Sequence, residues 1–127
     1  MTTKLETLAE VERYLDGFVN QERAASFDYE RFGLARIQVL LERIGNPETE
    51  LPCIHITGSK GKGTTALASE TLLLAAGLRT GTYMSPHLES WRERFRVDGN
   101  WVEESTLVAV FNALLTALEE FRRHAEL

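Results

Sequence analysis

Apolar residues recur at helical spacing in three stretches of this chain. Leu5, Leu8, Val11, Leu15 and Phe18 predict an amphipathic helix over residues 4 to 20. The polar stretch NQERAASFDYERFG that follows predicts a loop. Leu34, Ile37, Leu40, Leu41 and Ile44 predict a second helix, stopped by Gly45 and then Pro47. From about Glu103, the series Leu107, Val110, Phe111, Leu114, Leu118 and Phe121 predicts a last helix. Glu103 and Glu104 near its start and Arg122 and Arg123 near its end suit the helix dipole.

The middle of the chain has a different pattern. CIHIT, residues 53 to 57, is short, β-branched and apolar between Pro52 and Gly58, and predicts a buried strand. Residues 64 to 76 are rich in Ala, Leu, Ser and Thr and end at Gly77, which predicts a helix. RTGTYMS, residues 79 to 85, predicts a second strand. Strand, glycine loop, helix and strand together predict a βαβ unit with parallel strands and a right-handed crossover. FRVDGNWVEE predicts a hairpin about Asp98 and Gly99. The fold class expected is therefore α/β, with N-terminal helices before the βαβ unit and a helix after it. No repeat, low-complexity tract or linker divides residues 1 to 127.

Composition narrows the function classes. A single cysteine excludes an intramolecular disulfide, and no apolar run approaches the ~20 residues of a membrane span. The N-terminus mixes acids with apolar residues, unlike a signal or transit peptide, so a cytoplasmic location without membrane contact is expected. The net charge of -5 argues against nucleic acid as a partner. Basic residues exceed acidic ones only between positions 53 and 99. That local excess suits a small anionic ligand.

It surrounds CIHITGSKGKGTT, residues 53 to 65. A glycine loop between a buried strand and a helix is a place for anions, because the first helical N–H groups have no partner within the helix. Gly58, Gly61 and Gly63 allow close backbone approach. Lys62 supplies a point charge for terminal phosphates, and Thr64 or Thr65 a hydroxyl for phosphate or phosphate-bound Mg²⁺. Ser59 and Lys60 complete the loop, Lys60 adding positive potential. The spacing is shorter than in the common phosphate loop, since Lys62 follows Gly58 by four positions. Nearby, His55 and Cys53 are expected as packed core residues, and Trp91 and Trp101 as packing for a hairpin. Arg92 and Arg94 are expected in surface pairs with Glu93 or Glu89, with a substrate carboxylate as the alternative partner.

HITGSKGKGTT resembles the shortened phosphate loop of the folylpolyglutamate synthase and dihydrofolate synthase family, within the Mur ligase superfamily. Ser59 replaces a usual threonine, and Gly63, between Lys62 and Thr64, marks the folate branch. YMSPHLESWRERFRVDG, residues 83 to 99, resembles a second family segment through Tyr83, Ser85, Pro86, His87, Leu88, Glu93, Arg94 and Gly99. FGLARIQVLLERIGNPE, residues 32 to 48, resembles the helix before the first strand. The resemblance implies the start of a Mur ligase central domain, an incomplete P-loop-type three-layer domain. It implies an ATP- and Mg²⁺-dependent ligase that joins glutamate to a folate or dihydropteroate carboxylate through an acyl phosphate. Gly58 to Thr65 would then hold the ATP phosphates, with Lys62 catalytic. Ser85 and Thr64 would serve Mg²⁺, and Phe32, Gly33 and His87 would lie near the substrate. The family's enzymes are much longer. The chain is thus expected to be an N-terminal portion, inactive alone and lacking the family's later acidic residue, histidine and lysine. A non-catalytic nucleotide- or phosphate-binding module and another Mur-type amide ligase are the alternatives; a phosphotransferase kinase is disfavoured by the short loop.

Overall fold

The structure is a computed structural model and describes residues 4–17 and 34–125. Within them run α1 (Leu8–Asp16), α2 (Leu34–Arg43), a 3₁₀ turn (Pro47–Glu50), α3 (Lys62–Ala75) and β1 (Gly81–Tyr83). A second 3₁₀ turn (Trp91–Arg94), β2 (Phe95–Val97), β3 (Asn100–Trp101) and α4 (Glu104–Ala125) follow. The expected continuation of the first helix to residue 20 and the loop after it, with Phe32 and Gly33, lie outside the described residues. Among the described residues no helix is long and apolar enough to cross a membrane.

The chain divides into two compact units. One comprises residues 1–53 and 108–127, the other residues 54–107. In the first, α1 starts at a capping box. Thr7 accepts from the Glu10 N–H, and Glu10 reaches back to the Thr7 N–H. Leu8 and Val11 on α1 and Val108 and Leu115 on α4 are buried. The Tyr14 and Phe111 rings meet edge to face, with centroids 5.6 Å apart. The Asn112 side chain accepts from the Leu5 N–H at 2.9 Å and donates to the Leu5 carbonyl at 2.8 Å, replacing the backbone partners that Leu5 lacks before α1. Leu34, Ile37 and Val39 of α2 stay exposed.

The second unit differs from expectation in its sheet. Residues 53–57 form no strand, and Cys53, Ile54 and His55 are exposed. The parallel βαβ unit is therefore not formed, nor the packed core positions expected for His55 and Cys53. A strand meant for the middle of a parallel sheet needs hydrogen-bonding neighbours and cover on both faces. No described residue pairs with 53–57. Instead, β1 pairs antiparallel with β2 (Thr82 opposite Arg96) and β2 with β3 (Val97 opposite Asn100), a three-stranded antiparallel sheet. The β2–β3 hairpin is the one expected. Asp98 and Gly99 both take positive φ, 48° and 82°, as a two-residue type I′ turn requires.

α3 packs on this sheet through Glu70, buried to 4% exposure. Its carboxylate accepts from the Thr82 hydroxyl at 3.0 Å and pairs with Arg96 at 2.9 Å. The Arg96 guanidinium also donates to the Gly99 carbonyl, so one ion pair ties α3 to β1, β2 and the turn.

Candidate functional site

The glycine loop meets α3 at Gly61, whose φ of 75° lets the chain turn into the helix from the left-handed region. No side chain caps this helix. The N–H groups of Lys62, Gly63 and Thr64 thus lack the cap partner that Thr7 gives α1. The sequence expected the helix from Thr64; it starts two residues earlier, which places Lys62 and Gly63 in its first turn. The Lys62 ammonium donates to the Gly58 carbonyl at 2.7 Å and closes the loop on itself. Two further N–H donors of the ammonium remain.

The two threonines differ in role. The Thr65 hydroxyl donates to the Gly61 carbonyl at 2.9 Å, while its N–H closes the first helical turn on the same oxygen. The Thr64 hydroxyl is exposed and has no partner among the described residues. Ser59 and Lys60 are exposed loop residues. Gly63 faces Met84: a Cβ built on it would stand 4.0 Å from the Met84 sulfur, an ordinary contact. Met84 is itself held by its N–H on the Arg94 carbonyl at 2.9 Å.

After β1 the chain enters the loop of residues 84–90. Ser85 is exposed, and the Ser85–Pro86 bond is cis. The rest of this loop is organised by two residues assigned to surface pairs in the sequence. Glu93 accepts the N–H groups of Leu88, Glu89 and Ser90, each at 2.8 Å. Those bonds, Leu88's first, hold its carboxyl below the usual glutamate value. Ser90 caps the 3₁₀ turn in return, accepting from the Arg92 N–H. Arg94 is buried to 5% exposure. It donates through Nε to His87 Nδ1 at 2.7 Å and through a terminal nitrogen to the Tyr83 hydroxyl at 3.3 Å, and lies 4.3 Å over the Trp91 ring. The His87 ring stands 5.2 Å from Trp91. Arg92 turns to the Val102 carbonyl and to Glu103 and Glu104. Trp91 packs against His87 and Arg94, and Trp101 lies on β3 of the hairpin.

The donor set fits an anion: three uncapped N–H groups, a lysine and a free hydroxyl. It fits a divalent cation only in part. Ser85 and Thr64 offer hydroxyls, and no cluster of three His, Cys, Asp or Glu residues occurs among the described residues. A cation here needs the anion's own oxygens as ligands.

No family-level profile matches the chain. Folylpolyglutamate synthase of Arabidopsis thaliana is 48% identical over 62 residues, 49% of this chain and 10% of that protein. Dihydrofolate synthase/folylpolyglutamate synthase of Escherichia coli is 38% identical over 85 residues, 67% of this chain and 20% of that protein. Among solved structures, Mycobacterium tuberculosis folylpolyglutamate synthase complexed with ADP and AMPPCP superposes with a TM-score of 0.80 at 30% identity. The match covers 94% of this chain and 24% of that one. The bifunctional synthase of Yersinia pestis complexed with AMPPNP and Mn ion gives a TM-score of 0.69 at 31% identity, covering 92% and 27%. The chain spans a fifth or less of these two sequence relatives and about a quarter of these solved structures.

Proposed function

Because the chain belongs, as a segment, to the folylpolyglutamate synthase/dihydrofolate synthase family with its Mur ligase-type fold, we propose that it is the nucleotide-phosphate-holding segment of an ATP-dependent ligase. That ligase would join L-glutamate to a folate or dihydropteroate carboxylate through an acyl phosphate. The single observation that carries the proposal is the uncapped start of α3 with Lys62 closed over it. ADP, AMPPCP and AMPPNP in the solved relatives support nucleotide as the anion, and the Mn ion supports a divalent metal with it.

In this proposal Gly58 to Gly61 shape the loop, and the N–H groups of Lys62, Gly63 and Thr64 receive phosphate oxygens. Lys62 leaves or shares the Gly58 carbonyl to place its charge on a terminal phosphate. Thr64 and Ser85 offer hydroxyls to Mg²⁺, while Thr65 stays bonded to Gly61 and acts on the loop's shape. Such a set works by positioning and by charge stabilisation, the two needs of phosphoryl transfer.

Calorimetric titration with Mg-ATP tests this. Lys62→Ala should weaken binding by about 1.5–3 kcal/mol, the range for hydrogen bonds to charged groups. Unchanged affinity in a folded variant would remove Lys62 from the site.

A further inference from the structure

We propose that Arg94 is a positioning residue. It fixes the hydrogen of His87 on Nε2 and so gives the loop of residues 84–90 one aimed donor for a carboxylate or phosphoryl oxygen of a bound acid. This rests on the proposed function only for the identity of the acid.

Arg94 has only hydrogens to give. Its Nε–H donates to His87 Nδ1 at 2.7 Å, so that nitrogen presents its lone pair and the ring hydrogen goes to the other one. The orienter cannot easily swing away. Arg94 is 95% buried, its guanidinium lies 4.3 Å over Trp91, and it also donates to Tyr83. The ring rests against the same Trp91, 5.2 Å between centroids. Glu93 fixes the chain just beyond by taking three successive N–H groups. Nε2 has no partner among the described residues, and His87 is half-buried, two positions from Ser85. A locked ring with one open donor is arranged to meet an acceptor, and an oxyanion is the strongest that the proposed substrates carry.

The test is ¹⁵N-detected NMR of His87 in the whole chain at one fixed pH, titrated with Mg-AMPPNP and separately with folic acid. The expected spectrum shows Nδ1 as the lone-pair nitrogen and Nε2 as the N–H nitrogen. The Nε2 resonance should move with at least one probe, and the probe that moves it names the source of the oxyanion. Arg94→Lys should mix the two tautomers. Should that variant fail to fold, His87→Gln and His87→Asn decide. Gln places its amide donor near the Nε2 position and should keep affinity for the active probe, while Asn should lose roughly tenfold, the worth of about one hydrogen bond. An Nδ1–H ring, a doubly protonated ring, an Nε2 unmoved by both probes, or equal affinity for Gln and Asn overturns the proposal. The amides of Lys62 to Thr65 report nucleotide separately. If they stay still while His87 behaves as described, the nucleotide assignment fails and the Arg94–His87 assignment stands.

Discussion

Gly63 separates what the protein needs from what a ligand needs. Its φ is not in the left-handed region, and a Cβ there would meet only the Met84 sulfur at 4.0 Å. Nothing in the chain itself requires glycine in this first helical turn, and glycine in a helix costs about 0.5–1 kcal/mol relative to alanine. Gly63→Ala should therefore leave thermal stability equal or slightly higher. If phosphate oxygens seat against the Gly63 N–H, the same variant should bind Mg-ATP more weakly, because a methyl group then stands in the approach. Higher stability with unchanged affinity would move the phosphate away from Gly63. The roles of the two threonines were not legible in the sequence, where they are adjacent and chemically alike. They differ only because helix geometry returns the second hydroxyl to the carbonyl four residues back. Arg94 was misplaced for a related reason. A charged residue reads as surface unless its partners are known, and three of these are residues 83, 87 and 91.

At the scale of elements, the local ones were legible and the non-local one was not. The helices follow from periodicity and stop signals, and the β2–β3 hairpin from Asp98-Gly99, all features within a few residues of each other. CIHIT has the composition of a strand, but a strand needs a partner, and composition does not say which segment supplies it. β1 and β2 found each other instead, joined through a loop whose shape depends on Glu93. That dependence has a pH signature. The Leu88, Ser90 and Glu89 N–H bonds lower the Glu93 pKa from its ordinary 4.5, so its contribution is full above about that pH and is lost as pH falls through the lowered value. Glu10 and Asp98 are lowered in the same way by backbone N–H groups, so the loss must be read locally. Amide protection at Leu88, Glu89 and Ser90, taken relative to the intrinsic exchange rate at each pH, should be high at neutral pH and fall in acid. In Glu93→Gln protection should be low throughout, and the two proteins should converge at low pH. Equal protection in both at neutral pH would make the three bonds incidental. Gly99 belongs to the same scale. Its φ is 82°, and a Cβ on it would stand 3.2 Å from Leu74 Cδ1. Gly99→Ala should therefore destabilise the second unit by about 1–2 kcal/mol, measured by urea unfolding.

At the scale of the whole molecule, holding phosphate and making an amide are separable, and this chain should do only the first. The proposed phosphate set is local: one loop, one helix start, one lysine. Ligation through an acyl phosphate asks for more. In the proposed site a metal would need more than the hydroxyls of Ser85 and Thr64, and no cluster of three His, Cys, Asp or Glu occurs among the described residues to complete its shell. The reactive phosphate must also meet an amine before water reaches it, which requires enclosure. Here Gly58 to Thr65 are all exposed, and the segment leading into them, residues 53–57, lies unpaired. Positioning is worth about 7–11 kcal/mol of a barrier, so a site that holds one reactant in the open loses most of its rate. Incubated with ATP, Mg²⁺, glutamate and either dihydropteroate or a reduced folate, the chain should yield no amide product above background while still binding Mg-ATP. Turnover at a rate typical of an enzyme would mean that these residues enclose and ligate more than their exposure allows.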